Sequence, residues 1–205
     1  MSPLLTGAPA IVPAVAIVLA VAIVLTGCGG SHRGTSQNGG FDGAAFPTGV
    51  RARPFTLRNQ DGRDVSLGPR DRRVVALAFL STGCRTCALL AQQVRGALDE
   101  LGARAAVRTI FVSTDPALDT RARVRRFLAE TSLAGRAEYL TAAPRQLRAI
   151  WRAYGIAPAS AGRPAAEAAA EVLLIDRAGM ERVGFGLEQI TPEAVAHDIR
   201  LLAGG

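Results

Sequence analysis

Apolar positions along this chain fall into three kinds of run, and each predicts a different element. Val74 to Leu80 is continuously apolar, as a strand covered on both faces should be. Ala106 to Val112 reads as a second buried strand. Between them Leu90, Val94, Leu98 and Leu101 recur at helical spacing and predict one buried helix face. Val124, Phe127 and Leu128 predict a second helix, with Asp119 and Thr120 placed to cap it and Arg121, Arg125 and Arg126 on its other face. Leu147, Ile150 and Tyr154 predict a third helix, ending near Gly155. Val195, Ile199 and Leu202 predict a last one, opened by Thr191 and by Pro192 at its first position.

Shorter alternations supply the remaining strands. Phe55-Thr56-Leu57 and Val65-Ser66-Leu67 flank the turn residues Asn59 to Gly62 and predict a hairpin. Glu138 to Thr141 is a short strand. Val172 to Ile175 and Glu181 to Phe185 flank Asp176-Arg177-Ala178-Gly179 and predict a closing hairpin. An Ala-, Gly- and Pro-rich loop is expected from Ala157 to about Ala169. Strand–helix alternation of this kind implies an α/β fold with a central mixed sheet flanked by helices. With an N-terminal hairpin, a closing hairpin and paired cysteines after the first long strand, the expected fold is thioredoxin-like.

Ahead of this domain, which is expected over 51–205, lie two segments of other character. Ala8 to Leu25 is apolar throughout except for Pro9 and Pro13, and it runs into Leu25-Thr26-Gly27-Cys28. This resembles a bacterial lipobox and implies a signal peptide over 1–27, cleavage before Cys28, and a lipid on that cysteine at an extracytoplasmic membrane face. The alternative is an uncleaved transmembrane anchor, since the run approaches bilayer-spanning length. Residues 28–50 are rich in Gly, Ser, Asn, Gln and Thr and are expected to form a flexible tether.

Charge adds little beyond this. The formal net charge is +7, and all of the basic residues are arginine. The excess suits an anionic membrane surface or an acidic partner, whereas the tether and the scattered arginines argue against nucleic acid.

The candidate chemistry lies in Cys84 and Cys87. With Cys28 assigned to a lipid, these are the two remaining cysteines. They follow the apolar strand directly and open the first long helix, where N–H groups and the helix dipole stabilise a thiolate. Cys84, nearer the helix start and beside Arg85, is the expected nucleophile, and Cys87, about one turn on, the resolving thiol. A bridge across so short a loop restrains the unfolded chain little, so stability alone is a poor reason for it. Zinc would need four ligands, and no second cysteine pair exists. Two thiolates suffice for linear Cu(I), whereas Cu(II) would also want an imidazole. The histidines are His32, in the tether, and His197, expected on a solvated helix face. Trp151 and Tyr154 are expected to be packing residues.

Several segments together resemble the Sco/SenC family of the thioredoxin superfamily. They are Phe55-Thr56-Leu57 with Asp61-Gly62, Phe79-Leu80-Ser81-Thr82 leading into the cysteines, Val112-Ser113-Thr114-Asp115-Pro116 with Asp119-Thr120, Tyr154-Gly155-Ile156, and Leu173 to Gly179. The resemblance implies a membrane-tethered, extracytoplasmic protein that serves assembly of the copper site of cytochrome c oxidase. Its partner would be subunit II or the thiols of another copper protein. It also implies copper held by two cysteines and a histidine, with Asp115 as an acidic residue near the site.

This chain departs from the family pattern in two ways. It has two residues, not three, between its cysteines, so Gly83 falls where the first family cysteine belongs. Ala168 stands where the family histidine is expected. Ala170 stands near the place of the cis-proline of thioredoxin-like oxidoreductases, and the Pro-x-x-x-Thr-x-x-Cys pattern of peroxiredoxins is missing. Three functions follow from these residues. They are thiol–disulfide exchange with no cofactor required, Cu(I) delivery by Cys84 and Cys87, and a passive bridge in an assembly factor.

Overall fold

The computed structural model describes residues 39–68, 71–103, 105–157 and 171–204. Its elements, in chain order, are β1 (Ala44–Ala45), β2 (Phe55–Asn59), β3 (Asp64–Leu67), β4 (Val74–Leu80), α1 (Arg85–Leu101), β5 (Val107–Ser113), α2 (Arg121–Glu130), β6 (Ala137–Thr141), α3 (Pro144–Ala153), β7 (Glu171–Ile175), β8 (Glu181–Gly186) and α4 (Pro192–Gly204). The strands form one mixed sheet in the order β1-β8-β7-β4-β5-β6-β2-β3. β4, β5 and β6 run parallel, as the helical crossovers between them require. β7 returns antiparallel to β4, with Val75 opposite Ile175 and Ala78 opposite Val172.

Alternation along β4 explains its unbroken apolar sequence. Val74, Ala76, Ala78 and Leu80 face α1, α2 and α4, where they meet Leu90, Val94, Phe127 and Ile199. Val75, Leu77 and Phe79 face the opposite side, against Leu57, Val65, Leu147 and Trp151. Every residue of the strand is buried. Full burial of one such aliphatic side chain stabilises the fold by about 1.5–3 kcal/mol. The strand therefore makes a rigid base for whatever follows Leu80. Among the described residues no helix is long and apolar enough to cross a membrane.

The folded domain begins earlier than the expected boundary near residue 51. Ala44 and Ala45 pair with Gly184 and Val183, and the Phe46 amide donates to the Arg182 carbonyl at 2.9 Å. The Asp42 and Gly43 amides donate to the two carboxylate oxygens of Asp198 at 2.9 and 3.0 Å. Gly43 allows this approach, because a Cβ there would collide with Val183 and Phe185. Polar, glycine-rich composition conceals the segment, whose binding comes from distant partners rather than local pattern. The apolar segment, Cys28, His32, Ala168 and Ala170 lie outside the described residues, as does most of the expected 157–169 loop.

His197 is exposed on α4, as expected of a solvated helix face. Its side chain is half-exposed, but Nδ1 lies 2.9 Å from Asp198 Oδ1 and 3.4 Å from Asp42 Oδ2. It belongs to the clamp on residues 42–43.

Glu171 opens β7 with its carboxylate over Gly184. Burial, and then the charge of Glu181, raises its carboxyl above the usual value. The folded state therefore binds this proton more readily than the unfolded chain, and the ionised group destabilises the fold at neutral pH. That penalty fades as pH falls through the folded-state pKa towards the ordinary value. Thermal melts should show Glu171→Gln above the wild type at pH 7, with the gap closing on acidification. A gap that widens towards low pH would contradict this assignment.

Candidate dithiol site

β4 ends at Leu80, and Ser81-Thr82-Gly83 turn the chain into α1. The Cys84 amide donates to the Ser81 carbonyl at 3.2 Å, which fixes the turn. Cys84 is the helix N-cap, with extended backbone, and its Sγ accepts the Cys87 amide at 3.1 Å. A cysteine thus takes the place usually held by Ser, Thr, Asp or Asn. Cys84 and Cys87 are joined as a disulfide, with their Cα atoms 5.2 Å apart. The bridged sulfur has no proton, so the Thr86 hydroxyl, at 3.2 Å, donates to Cys84 Sγ.

The two sulfurs differ in access. Cys84 is half-buried, while Cys87 is only 4% exposed and packs in the core layer with Leu90 and Val94. A reagent from solvent therefore meets Cys84 first. Arg85 is exposed beside it, with no ion-pair partner among the described residues. Leu89, one turn further along α1, is 52% exposed.

Beneath the turn lies a group missed by sequence reasoning in its present role. Of the two residues expected to cap α2, Thr120 is the cap, while Asp119 is 1% exposed and turns inward. Asp119 Oδ1 accepts the Thr82 amide at 2.8 Å, the Thr82 hydroxyl at 2.7 Å and the Ser81 hydroxyl at 3.3 Å. Oδ2 accepts the Ser113 hydroxyl at 2.6 Å and the Tyr139 hydroxyl at 2.7 Å. One buried carboxylate thus ties the cysteine turn to the end of β5 and the middle of β6. Tyr139 is fully buried, and burial together with Asp119 holds its hydroxyl protonated well beyond the usual range.

Asp115 shapes the turn that leads into α2. Its Oδ1 accepts the Leu118 amide at 3.2 Å, and its carbonyl accepts the Asp119 amide at 2.9 Å. It bonds neither sulfur. The turn it makes lays Leu118 against Gly83, where any added Cβ would collide with the leucine. Trp151 is buried, its indole N–H donating to the Ser113 carbonyl at 2.9 Å. Tyr154 packs on Phe79 with ring centroids 5.1 Å apart. Both are packing residues, as expected.

The donor set bears on metal. Once reduced, Cys84 and Cys87 offer two soft sulfurs within one helical turn, which suits Cu(I). His197 is engaged by Asp198 and Asp42 and makes no bond to the cysteine turn. The described residues therefore fit a two-sulfur Cu(I) site and supply no imidazole for a Cu(II) site.

A mixed sheet flanked by helices, with a dithiol where the first long strand enters its helix, defines a thioredoxin-like protein. The family model described as SCO1/SenC matches residues 47–204, and the chain belongs to that family. Apo Sco1 from Thermus thermophilus superposes with a TM-score of 0.66 at 22% identity, over 79% of this chain and 96% of its own. BsSco, described as having a disulfide switch and as a member of the Sco family of cytochrome c oxidase assembly proteins, gives 0.64 at 22%, over 77% and 95%. Copper-bound ScoI from Arabidopsis thaliana gives 0.63 at 18%, over 76% and 100%. At these identities the likeness is one of fold. No curated protein matches the chain significantly.

Proposed function

We propose that this chain is an extracytoplasmic protein, tethered to the membrane through lipid on Cys28, that exchanges thiols and disulfides during maturation of respiratory copper proteins. Cytochrome c oxidase, through its subunit II, is the foremost partner. One observation carries the redox part: the accessible Cys84 caps a helix, with Cys87 buried behind it in bridging reach. In the reducing direction, the Cys84 thiolate attacks a partner disulfide sulfur. A Cys84–partner disulfide forms and the first partner thiolate leaves. Cys87, losing its proton, then attacks Cys84 Sγ and expels the second partner thiolate. Two electrons pass to the partner, the two thiolates take up protons, and the Cys84–Cys87 bridge forms. The reverse sequence oxidises a partner dithiol, and relative reduction potentials set the direction.

A second reading has Cu(I) as cargo on the two thiolates. The soft donor pair favours it, and copper-bound relatives of the same fold support it. A bridge that is only passive is the third reading. The reduction potential and Cu(I) stoichiometry of one sample separate them. Exchange predicts a potential within the range of exchange catalysts, roughly −120 to −270 mV. A potential below about −300 mV would mark an inert bridge. Cargo binding predicts one Cu(I) per chain, lost in Cys84→Ser.

A further inference from the structure

The first turn of α1 brings two donors to one sulfur. Cys84 Sγ accepts the Cys87 amide at 3.1 Å, as an N-cap acceptor does, and the Thr86 hydroxyl lies 3.2 Å from it. Thr86 is half-buried and stands between the two cysteines. A threonine with helix behind it commonly donates to a carbonyl three or four residues back, as Thr131 does to Phe127 at 2.8 Å. The residues at those places before Thr86 are Gly83 and Thr82, in the turn outside the helix. Its hydroxyl meets the capping sulfur instead. The branched Cβ limits χ1 and so limits how far that hydroxyl can swing.

Charge around the turn suits an anion at this sulfur. α1 carries no acid in its first turn, where Asp or Glu would ordinarily complement the dipole. The charged groups of the surrounding elements are Arg85 on α1, and Asp115 and Asp119 on the segment that packs on Gly83 and bonds Thr82. Both carboxylates are held by donors of their own. Asp115 takes the Leu118 amide, and Asp119 takes the donors of Ser81, Thr82, Ser113 and Tyr139. Opening the bridge therefore puts negative charge on a sulfur already met by two donors. A hydrogen bond to an ionised acceptor is roughly twice as strong as one to a neutral acceptor. The Thr86 contact thus favours Cys84 as a thiolate over Cys84 in the bridge.

We propose that Thr86 is a positioning residue for Cys84: when the bridge opens, its hydroxyl stays on Sγ and holds that sulfur as the thiolate. Its part in exchange rests on the thiol-exchange reading, whereas its hold on the sulfur does not. In the reducing direction the held thiolate is the nucleophile that attacks the partner disulfide. In the oxidising direction the partner's second thiolate attacks the Cys84–partner disulfide at the partner sulfur. The partner's own bridge forms, and the electron pair of the broken bond stays on Cys84 Sγ, opposite the Thr86 hydroxyl. The same contact therefore enlarges the thiolate fraction and eases departure of Cys84, while it lowers the thiolate's intrinsic nucleophilicity.

Thr86→Val removes the hydroxyl and keeps the shape. The reduced full chain is alkylated with iodoacetamide over a range of pH, and tryptic cleavage after Arg85 separates the Cys84 peptide from the Cys87 peptide for mass spectrometry. In Thr86→Val the Cys84 profile should move up by about one pH unit, which is about tenfold less thiolate below the midpoint. Thr86→Ser should restore the wild-type profile. Equilibrium with a dithiol buffer should shift about tenfold toward the bridge in Thr86→Val, equivalent to about 30 mV.

The rate with a small uncharged disulfide separates this role from a structural one. In Thr86→Val it should fall at low pH and equal or exceed the wild type at high pH, where both sulfurs are fully ionised. A packing defect would slow the reaction at every pH. Thr86→Ala, with a better helix former at the position, should behave as Thr86→Val does. An alkylation profile and an equilibrium that stay in place in both variants, or a rate lost equally at every pH, would overturn the proposal. A displaced alkylation profile in a chain that reacts with no disulfide would uphold the hold on Cys84 and remove the exchange reading.

Discussion

Cys84→Ser should abolish reaction with a model disulfide, lowering the rate on the order of 100-fold or more, while Cys87→Ser should still complete the first step and then stall as a stable mixed disulfide. The asymmetry follows from burial. Cys84 is within reach of solvent and caps the helix, where α1 contributes N–H groups and a positive dipole end. Cys87 is 4% exposed, so an outside disulfide reaches it poorly. Once Cys84 holds the partner, however, Cys87 lies one turn away and needs no diffusion. Stopped-flow rates and mass spectrometry of the trapped species distinguish the variants. If Cys87→Ser were inactive while Cys84→Ser trapped the partner, the assigned roles would be reversed.

Asp119→Ala should be the most destabilising substitution near the site, at about 3–5 kcal/mol. It removes the acceptor for five donors, of which the hydroxyls of Ser81, Ser113 and Tyr139 belong to buried residues. Two more, the Thr82 amide and hydroxyl, belong to the turn that presents Cys84. Asp119→Asn keeps the volume and Oδ1 but replaces one acceptor by a donor facing two hydroxyls. It should fall between alanine and the wild type. Denaturant unfolding measures the loss. A positioning role adds a second signature: Asp119→Asn should change the disulfide's reduction potential, whereas a loss confined to stability would leave it where it was.

The cysteine turn was legible because its signals are local. An apolar strand, two cysteines and an amphipathic helix follow one another without interruption, and each is read from neighbours a few residues away. The role of Asp119 was not local. By sequence it stands where a cap belongs, and only the Asp115 turn rotates it inward. The trace it leaves is indirect: Ser81 and Thr82 follow the apolar β4, Ser113 ends β5 and Tyr139 lies within β6, and buried hydroxyls need an acceptor. Asp198 left a similar trace. It lies three residues after Val195 and four before Leu202, on the inward stripe of α4, where an unpaired carboxylate would be untenable. The segment it holds, with the two-residue β1, is too short for any periodicity to register. Its pairing with β8 is a tertiary fact.

Leu118 also constrains what this site could become. Its side chain rests where any substituent on Gly83 would have to go. Moving the first sulfur back to the family's spacing would therefore require the Leu118 Cδ2 methyl to swing aside. The narrower dithiol thus has, at its open end, a neighbour that takes no part in its chemistry.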